Sequence, residues 1–179
     1  MNIKESFLQY LQIEKRYSPH TVRSYLNDLD QFGAFLKEKG HKDDPVDVTS
    51  HDIRAWIVSM LDSEYSTVSV HRKISCLRVY YRFLRKEGIV KNDPLQKVVL
   101  PKRKKSLPVF IEEKAMATLL DEYSFGDDFE GLRNRTIIEM LYLTGMRRSE
   151  LTGLRNIDID LADATVKVTG KRNKQRIIP

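Results

Sequence analysis

Two basic residues in the last quarter of the chain have side chains suited to phosphate chemistry. Arg147 lies in Thr144-Gly145-Met146-Arg147-Arg148-Ser149-Glu150-Leu151, and Lys171 lies in Gly170-Lys171-Arg172-Asn173-Lys174-Gln175-Arg176. The planar guanidinium of an arginine can hold two non-bridging oxygens of a phosphate, and a lysine can donate a proton to a leaving oxygen. Glu150, one helical turn after Arg147, can orient the guanidinium through a bidentate ion pair. The two segments therefore fit a site that binds a phosphate without a metal.

The same residues also have an ordinary structural interpretation. Arg147 and Glu150 can form a surface salt bridge at the start of a helix, and Lys171 can be a solvated residue in a turn. Taken alone, these residues favour that interpretation. A Walker A loop is excluded, because Gly170-Lys171 is followed by Arg172 and lacks the upstream glycine.

Four amphipathic helices are predicted in the first hundred residues. The first covers residues 2 to 16. The second begins at Ser18-Pro19, which supply an N-cap and a proline at the first helical position, and ends before Gly40. Thr49-Ser50-His51-Asp52 resembles a capping box that opens the third helix, and the fourth covers residues 67 to 87. Helices of this size predict a compact bundle.

The fourth helix carries a cationic stripe, which we define as His71, Arg78, Arg82 and Arg85. At about 100° per residue, this stripe lies roughly 90° from the apolar face of the helix. By itself it fits a solvated surface as well as it fits a track for a polyanion. A net charge of +6 and a pI near 9.3 favour a polyanionic partner.

A basic run, Pro101-Lys102-Arg103-Lys104-Lys105-Ser106-Leu107-Pro108, follows the predicted bundle. Flanking prolines and consecutive like charges favour an extended, exposed conformation. The run predicts a linker that lies along a phosphate backbone, although its residues fit a nuclear-localisation signal equally well. We favour the linker because the sequence changes character across it.

The region after the linker has a mixed pattern. Its predicted elements are three helices, at residues 111 to 120, 133 to 143 and 149 to 154, and two strands of a hairpin, at residues 165 to 169 and 176 to 178. The helix at residues 133 to 143 is apolar on nearly all sides, and a helix of that kind must be buried. Gly145 is expected to end it.

Composition excludes several other classes of protein. The chain is 41% hydrophobic and 31% charged, as soluble globular proteins are, and no apolar run approaches the roughly 20 residues that cross a bilayer. The first residues lack the apolar stretch of a signal peptide, so a cytoplasmic location is expected. The single cysteine, Cys76, is expected to be buried and inert. The four histidines show no metal-ligand spacing, and neither a metal nor another cofactor is expected.

Motifs along the whole chain resemble the tyrosine recombinases, the lambda-integrase family, and within it the bacterial Xer type. The matching segments, in order, are residues 18 to 22, 28 to 32, 75 to 84, 92 to 94, 101 to 108, 141 to 151, 158 to 160 and 170 to 179. Two residues depart from the pattern. Arg148 stands where a small or aliphatic residue is commoner, and Arg172 replaces a glycine. Neither departure removes a catalytic group.

The resemblance implies a mainly α fold with three parts. Residues 1 to 100 would form a four-helix, SAM-like core-binding domain, residues 101 to 108 the basic linker, and residues 109 to 179 the first, α+β part of a catalytic domain with a β-hairpin. Arg147 would be the first catalytic arginine, Lys171 the catalytic lysine, and Glu150 a supporting residue. The residues expected to bind DNA are His20, Thr21, Arg23, His71, Arg72, Arg78, Arg82, Arg85, Lys102, Arg103, Lys104 and Lys105.

The implied activity is site-specific recombination of duplex DNA through a 3′-phosphotyrosyl intermediate. A His-x-x-Arg motif, a further His or Trp and the tyrosine nucleophile would lie downstream of Pro179, and none of the eight tyrosines present has a nucleophile-like context. This chain is therefore expected to be inactive alone. In the full-length parent, the expected partners are duplex DNA and other protomers of a tetrameric synaptic complex, with no membrane. The alternatives are a DNA-binding module that occupies recombination sites without cutting and a fragment that mainly makes protein contacts.

Overall fold

The chain divides into two units, Met1–Ser106 and Leu107–Pro179, in the computed structural model. The structure describes residues 3–41, 47–103, 107, 109–170 and 173–179. The division falls within the predicted basic linker, of which Lys104, Lys105, Ser106 and Pro108 lie outside the described residues.

The first unit contains the four predicted helices. They are α1 (Ile3–Gln9), α2 (Pro19–Glu38), α3 (Ser50–Asp62) and α4 (Thr67–Lys86). The first differs from the prediction, because α1 widens into a π-helical turn at Tyr10–Glu14 rather than continuing as a regular α-helix to residue 16. The other boundaries follow the predicted caps.

Local hydrogen bonds explain those boundaries. The Ser18 hydroxyl accepts a hydrogen bond from the backbone N–H of Thr21, as an N-cap does. Thr49 and Asp52 form the predicted capping box, in which the Asp52 carboxylate accepts from the backbone N–H of Thr49 at 2.8 Å. Such caps satisfy the backbone N–H groups that the first turn of a helix leaves unpaired.

Side chains from all four helices form one apolar core in the first unit. The residues of α4 that the helical spacing predicts are all buried: Val70, Ile74, Leu77, Tyr81 and Leu84. Trp56 of α3 packs against Phe32 of α2 with 4.8 Å between their ring centroids. Cys76 is fully buried, and burial raises the pKa of its thiol, which agrees with the prediction of an inert cysteine.

The second unit is built from short helices and a small sheet. The helices are α5 (Glu113–Glu122), α6 (Phe129–Thr144) and α7 (Arg148–Leu151). A 3₁₀ turn at Asn156–Asp158 precedes the strands β1 (Ile159–Asp160), β2 (Thr165–Thr169) and β3 (Gln175–Ile178). The sheet is antiparallel in the order β1-β2-β3, so β2 and β3 form the predicted hairpin.

Helix α6 differs from its prediction in length and in burial. It begins at Phe129 rather than Arg133, because the Asp128 carboxylate caps it by accepting from the backbone N–H of Gly131 at 2.8 Å. A helix with this pattern is expected to be buried once other elements pack against it, but in the described part of this chain Leu132 is 64% exposed and Leu143 is 75% exposed. No element in the described part of the chain covers these side chains.

In the described part of the chain, no helix has both the length and the apolarity that crossing a membrane requires.

Candidate functional site

The junction between α6 and α7 fixes the position of Arg147. Gly145 ends α6 in the left-handed conformation, with φ of 58°, which glycine adopts without the steric cost that a side chain brings. Met146 is then buried, and its backbone N–H donates to the Thr144 hydroxyl at 3.2 Å. Arg147 follows at the N-cap of α7 with extended backbone angles. The Thr-Gly-Met-Arg sequence therefore turns the chain and anchors it immediately before the arginine.

Glu150 holds Arg147 at two points. One carboxylate oxygen, Oε2, accepts from the backbone N–H of Arg147 at 2.8 Å, and Oε1 accepts from Nη1 of the same residue at 2.7 Å. The Glu150 side chain is only 1% exposed, whereas that of Arg147 is 57% exposed. The predicted bidentate pair between these two side chains is not formed, because Oε2 accepts from the backbone N–H of Arg147 and from Nη2 of Arg176 instead. The guanidinium is tethered at one nitrogen and faces solvent.

Arg176 makes the bidentate ion pair with Glu150. Its Nη1 and Nη2 donate to Oε1 at 3.0 Å and to Oε2 at 2.9 Å. No role was predicted for Arg176 from the sequence. The signal that could have located it is the hairpin register: Arg176 pairs with Val168, and paired residues project from the same face of a sheet. The alternation of β2 places Val168 on the inner face, where it is buried in the structure.

These hydrogen bonds hold the pKa of Glu150 at about 2, below its ordinary value of 4.5. The largest cause is the backbone N–H of Arg147, and the side chains of Arg147 and Arg176 act in the same direction. Burial opposes them. Glu150 is thus ionised at neutral pH, and one carboxylate between two guanidinium groups leaves a net positive charge facing solvent.

Gly170 brings the hairpin turn against this cluster. A Cβ atom at Gly170 would lie 3.0 Å from Oε1 of Glu150 and 3.8 Å from Nη1 of Arg147, so a side chain at this position would crowd the Glu150 carboxylate. Its backbone N–H donates to the carbonyl of Lys174 at 2.7 Å and closes the turn. Lys171, the predicted catalytic lysine, and Arg172 lie outside the described residues.

Three members of the cationic stripe are exposed on α4. In the described part of the chain, no hydrogen bond or ion pair engages the guanidinium groups of Arg78, Arg82 or Arg85. The fourth member, His71, is half-buried, and its Nε2 lies 2.8 Å from the carbonyl oxygen of Pro101. This contact fixes the start of the linker next to α4, with Lys102 and Arg103 exposed beyond it.

The other predicted DNA contacts differ in their surroundings. Arg72 donates to both carboxylate oxygens of the buried Asp28, one of them from Nη2 at 2.8 Å, and its side chain is 46% exposed. On α2, His20 and Arg23 are exposed, whereas the Thr21 hydroxyl lies 3.0 Å from that of Ser18. Lys104 and Lys105 lie outside the described residues. Within the described ranges, no group of three or more His, Cys, Asp or Glu side chains could hold a metal ion.

Two family models match the chain. The phage integrase N-terminal SAM-like domain matches residues 5–88, and the phage integrase family matches residues 109–179. The chain is 42% identical over 175 residues to tyrosine recombinase XerC of Oceanobacillus iheyensis, with 98% of this chain and 57% of that protein covered. The chain belongs to the phage integrase family of tyrosine recombinases. It is also 40% identical over 179 residues to XerC of Pediococcus pentosaceus, of which it covers 60%.

The phage integrase fold is also found in solved structures. A lambda integrase dimer bound to a COC′ core site aligns with 99% of this chain and 47% of that chain, at 17% identity and a TM-score of 0.74. The Tn1549 transposon integrase in complex with a circular intermediate DNA aligns with 99% of this chain and 57% of that one, at 14% identity and a TM-score of 0.67. The chain therefore has the integrase fold and spans about 57% of the length of the relatives that it matches.

Proposed function

We propose that this chain forms the DNA-binding domain and the first part of the catalytic domain of a Xer-type site-specific recombinase. The full-length parent breaks and rejoins duplex DNA through a 3′-phosphotyrosyl intermediate and acts with further protomers in a tetrameric synaptic complex. The observation that carries this proposal is the solvent-facing guanidinium of Arg147, held by the buried carboxylate of Glu150 in a phage integrase fold.

Each residue of the cluster has a defined task in this proposal. Arg147 binds the non-bridging oxygens of the scissile phosphate through Nε and Nη2, which no partner engages in the described part of the chain. Glu150 orients it. Lys171 follows Gly170, which lies against the cluster, and donates a proton to the departing 5′ oxygen. A fixed positive charge at the phosphate stabilises the charge that develops in the transition state.

The first unit supplies most of the affinity for duplex DNA. Contacts with phosphates dominate the affinity of proteins for DNA, and the exposed arginines of α4, which no partner engages among the described residues, can make such contacts. In this proposal His20, Thr21 and Arg23 on α2 and residues 102 to 105 of the linker also contact the DNA. The structure of lambda integrase bound to a core site supports this assignment.

A nicked suicide substrate that carries the target site tests the catalytic part of the proposal. The full-length parent should form a covalent adduct on denaturing electrophoresis, whereas this chain alone should form none, because none of its eight tyrosines is the nucleophile. Loss of one group that stabilises developing charge costs about 100- to 1,000-fold in rate, and we expect Arg147→Ala to slow adduct formation in the parent by that factor. Arg148→Ala, which alters the exposed neighbour, is the matched control.

Two outcomes would contradict the proposal in different ways. An adduct with this chain alone would mean that one of its own tyrosines is the nucleophile. A parent that protects its site from nuclease digestion yet forms no adduct would instead favour a DNA-binding module that occupies recombination sites without cutting.

A further inference from the structure

Arg176 occupies both oxygens of the carboxylate that holds Arg147. Its contact with Glu150 is bidentate, and charge-assisted bidentate pairs of this kind are strong and geometrically specific. Arg176 is half-exposed, with 43% of its side chain accessible, so the pair lies at the edge of the site rather than inside a core. The structure therefore brings a second arginine to the Arg147 cluster from a strand that is distant in the sequence.

The contact has an electrostatic consequence for Arg147. Glu150 and Arg147 alone would be a neutral pair, and a phosphate approaching it would meet the charge of the carboxylate as well as that of the guanidinium. With Arg176 present, the three side chains together keep one positive charge. Glu150 already accepts from Arg176 at both oxygens, and among the described residues the Arg147 side chain has one tether, through Nη1.

The contact also has a mechanical consequence. Glu150 lies in α7, and Arg176 lies in β3, whose hairpin partner β2 ends immediately before Gly170. The ion pair therefore ties the hairpin to the helix that carries the Arg147 anchor. Without Arg176, the remaining contact between the hairpin turn and the Glu150 carboxylate would be the packing of Gly170 against Oε1, which is weak.

We propose that Arg176 is a positioning residue: it fixes the Glu150 carboxylate by binding both oxygens, and so keeps the Arg147 guanidinium oriented and open to a phosphate while the cluster retains a net positive charge. This inference rests on the proposed function of Arg147 as a phosphate ligand. It assigns Arg176 no contact with the reacting atoms.

Side-chain NMR of this chain tests the proposal without requiring recombination. The Glu150 carboxyl carbon is followed from pH 7 to pH 3, and the Arg147 Nε–H resonance is followed at pH 7 during titration with inorganic phosphate. The variants are Arg176→Ala and Arg176→Lys. Lys174→Ala is the matched control, because Lys174 is an exposed cation of the same hairpin whose side chain does not contact Glu150 in the described part of the chain.

In the unaltered chain, Glu150 should remain ionised throughout this pH range, because its pKa is about 2. In Arg176→Ala it should begin to protonate within the range, and phosphate affinity at Arg147 should fall about two- to fivefold through the loss of a nearby charge. Arg176→Lys restores the charge but not the fork, so it should recover part of both effects. Backbone amide spectra of Arg176→Lys establish that the fold is retained.

Specific results would overturn the positioning role. One is a Glu150 titration and an Arg147 resonance that are unchanged in Arg176→Ala. Another is a loss of phosphate affinity in Lys174→Ala as large as that in Arg176→Ala, since the effect would then come from total charge. If Arg147 binds phosphate in no variant, including the unaltered chain, it is the proposed function of Arg147 that fails. The Glu150 titration still tests Arg176 in that case.

Discussion

Each unit contains a buried carboxylate bound by two cations, but the two clusters face different surroundings. The cluster of the first unit is Asp28 with Arg72 and Lys73, and that of the second is Glu150 with Arg147 and Arg176. Lys73 is buried, with 4% of its side chain exposed, and its Nζ lies 3.0 Å from Oδ1 of Asp28. In the second cluster both guanidinium groups are substantially exposed.

This difference separates a structural ion cluster from one available to a ligand. A phosphate cannot reach the buried ammonium of Lys73, so Lys73 can only join α4 to Asp28 of α2, whereas Arg72 of the same cluster keeps 46% of its side chain exposed. The exposed guanidinium groups of the second cluster retain a net positive charge at the surface. A carboxylate with two cations therefore joins helices where one of the cations is buried. Where both cations are exposed to solvent, the same set of charges can bind an anion.

The largest expected contrast is in stability between the two units. The first unit has a core with side chains from four helices, whereas the buried apolar residues in the described part of the second are only Met116, Met146 and Val168. Global stabilities of about 5 kcal/mol or more slow amide exchange by roughly a thousandfold or more, and we expect such protection in α2 to α4 but not in α6. Native-state hydrogen exchange measures this directly.

The exchange experiment requires a monomeric sample, because the exposed apolar face of α6 promotes association. Light scattering at the same concentration is the check. Equal and high protection in both units of a monomer would contradict the expected contrast.

Breaking the buried cluster should have the next largest effect. Asp28→Asn leaves Lys73 buried without a charged partner, which typically destabilises a protein by about 3–5 kcal/mol. Urea unfolding followed by the fluorescence of Trp56, the single tryptophan, reports on this unit. Asp30→Asn is the matched control on the same helix: its pair with Lys4 is exposed, and such pairs contribute about 0–1 kcal/mol. Equal losses in the two variants would show that the buried cluster is not structural.

Cations that have no acidic partner among the described residues should contribute more to DNA affinity than cations held by carboxylates. The slope of log affinity against log salt falls by about 0.9 for each lost phosphate contact, so Arg78→Ala with Arg82→Ala and Arg85→Ala should flatten it by about 2.7. Fluorescence anisotropy with a duplex at several salt concentrations measures the slope. A single Arg82→Ala change is compared with Arg54→Ala, which removes an exposed arginine from α3 and so controls for the loss of one positive charge. An unchanged slope in the triple variant would mean that the cationic stripe is a solvated surface.

The smallest expected effect is the pH dependence of the second cluster. The pKa of Glu150 is lowered from 4.5 to about 2 in the folded chain, so its stabilising contribution is complete above about pH 4.5 and is lost as the pH falls toward 2. The thermal unfolding midpoint of the second unit, followed through the Val168 methyl signals, should differ between the unaltered chain and Glu150→Gln at neutral pH. The two midpoints should converge as the pH falls. Glu139→Gln, which breaks an exposed i,i+4 pair with Arg135, should leave the midpoint nearly unchanged.

The sequence alone determined the helices of the first unit and the hairpin of the second. Caps such as Ser18 and Thr49 find their hydrogen-bond partners within three residues, and apolar spacing follows directly from helix geometry. The contact between Arg147 and Glu150 could also be predicted from the sequence, because residues that lie three apart face each other across one helical turn. The family motifs, likewise, are short stretches of consecutive residues.

Tertiary structure decided how the remaining charges are paired and which faces are covered. Arg176 meets Glu150 across 26 positions and Lys73 meets Asp28 across 45, and no local spacing rule links side chains that far apart. The pattern of α6 likewise specified a helix but not its burial, because burial depends on which other elements pack against it. Local hydrogen bonds and periodicity are encoded along the chain, whereas the partner of a charge and the solvent exposure of a face emerge only when distant segments fold together.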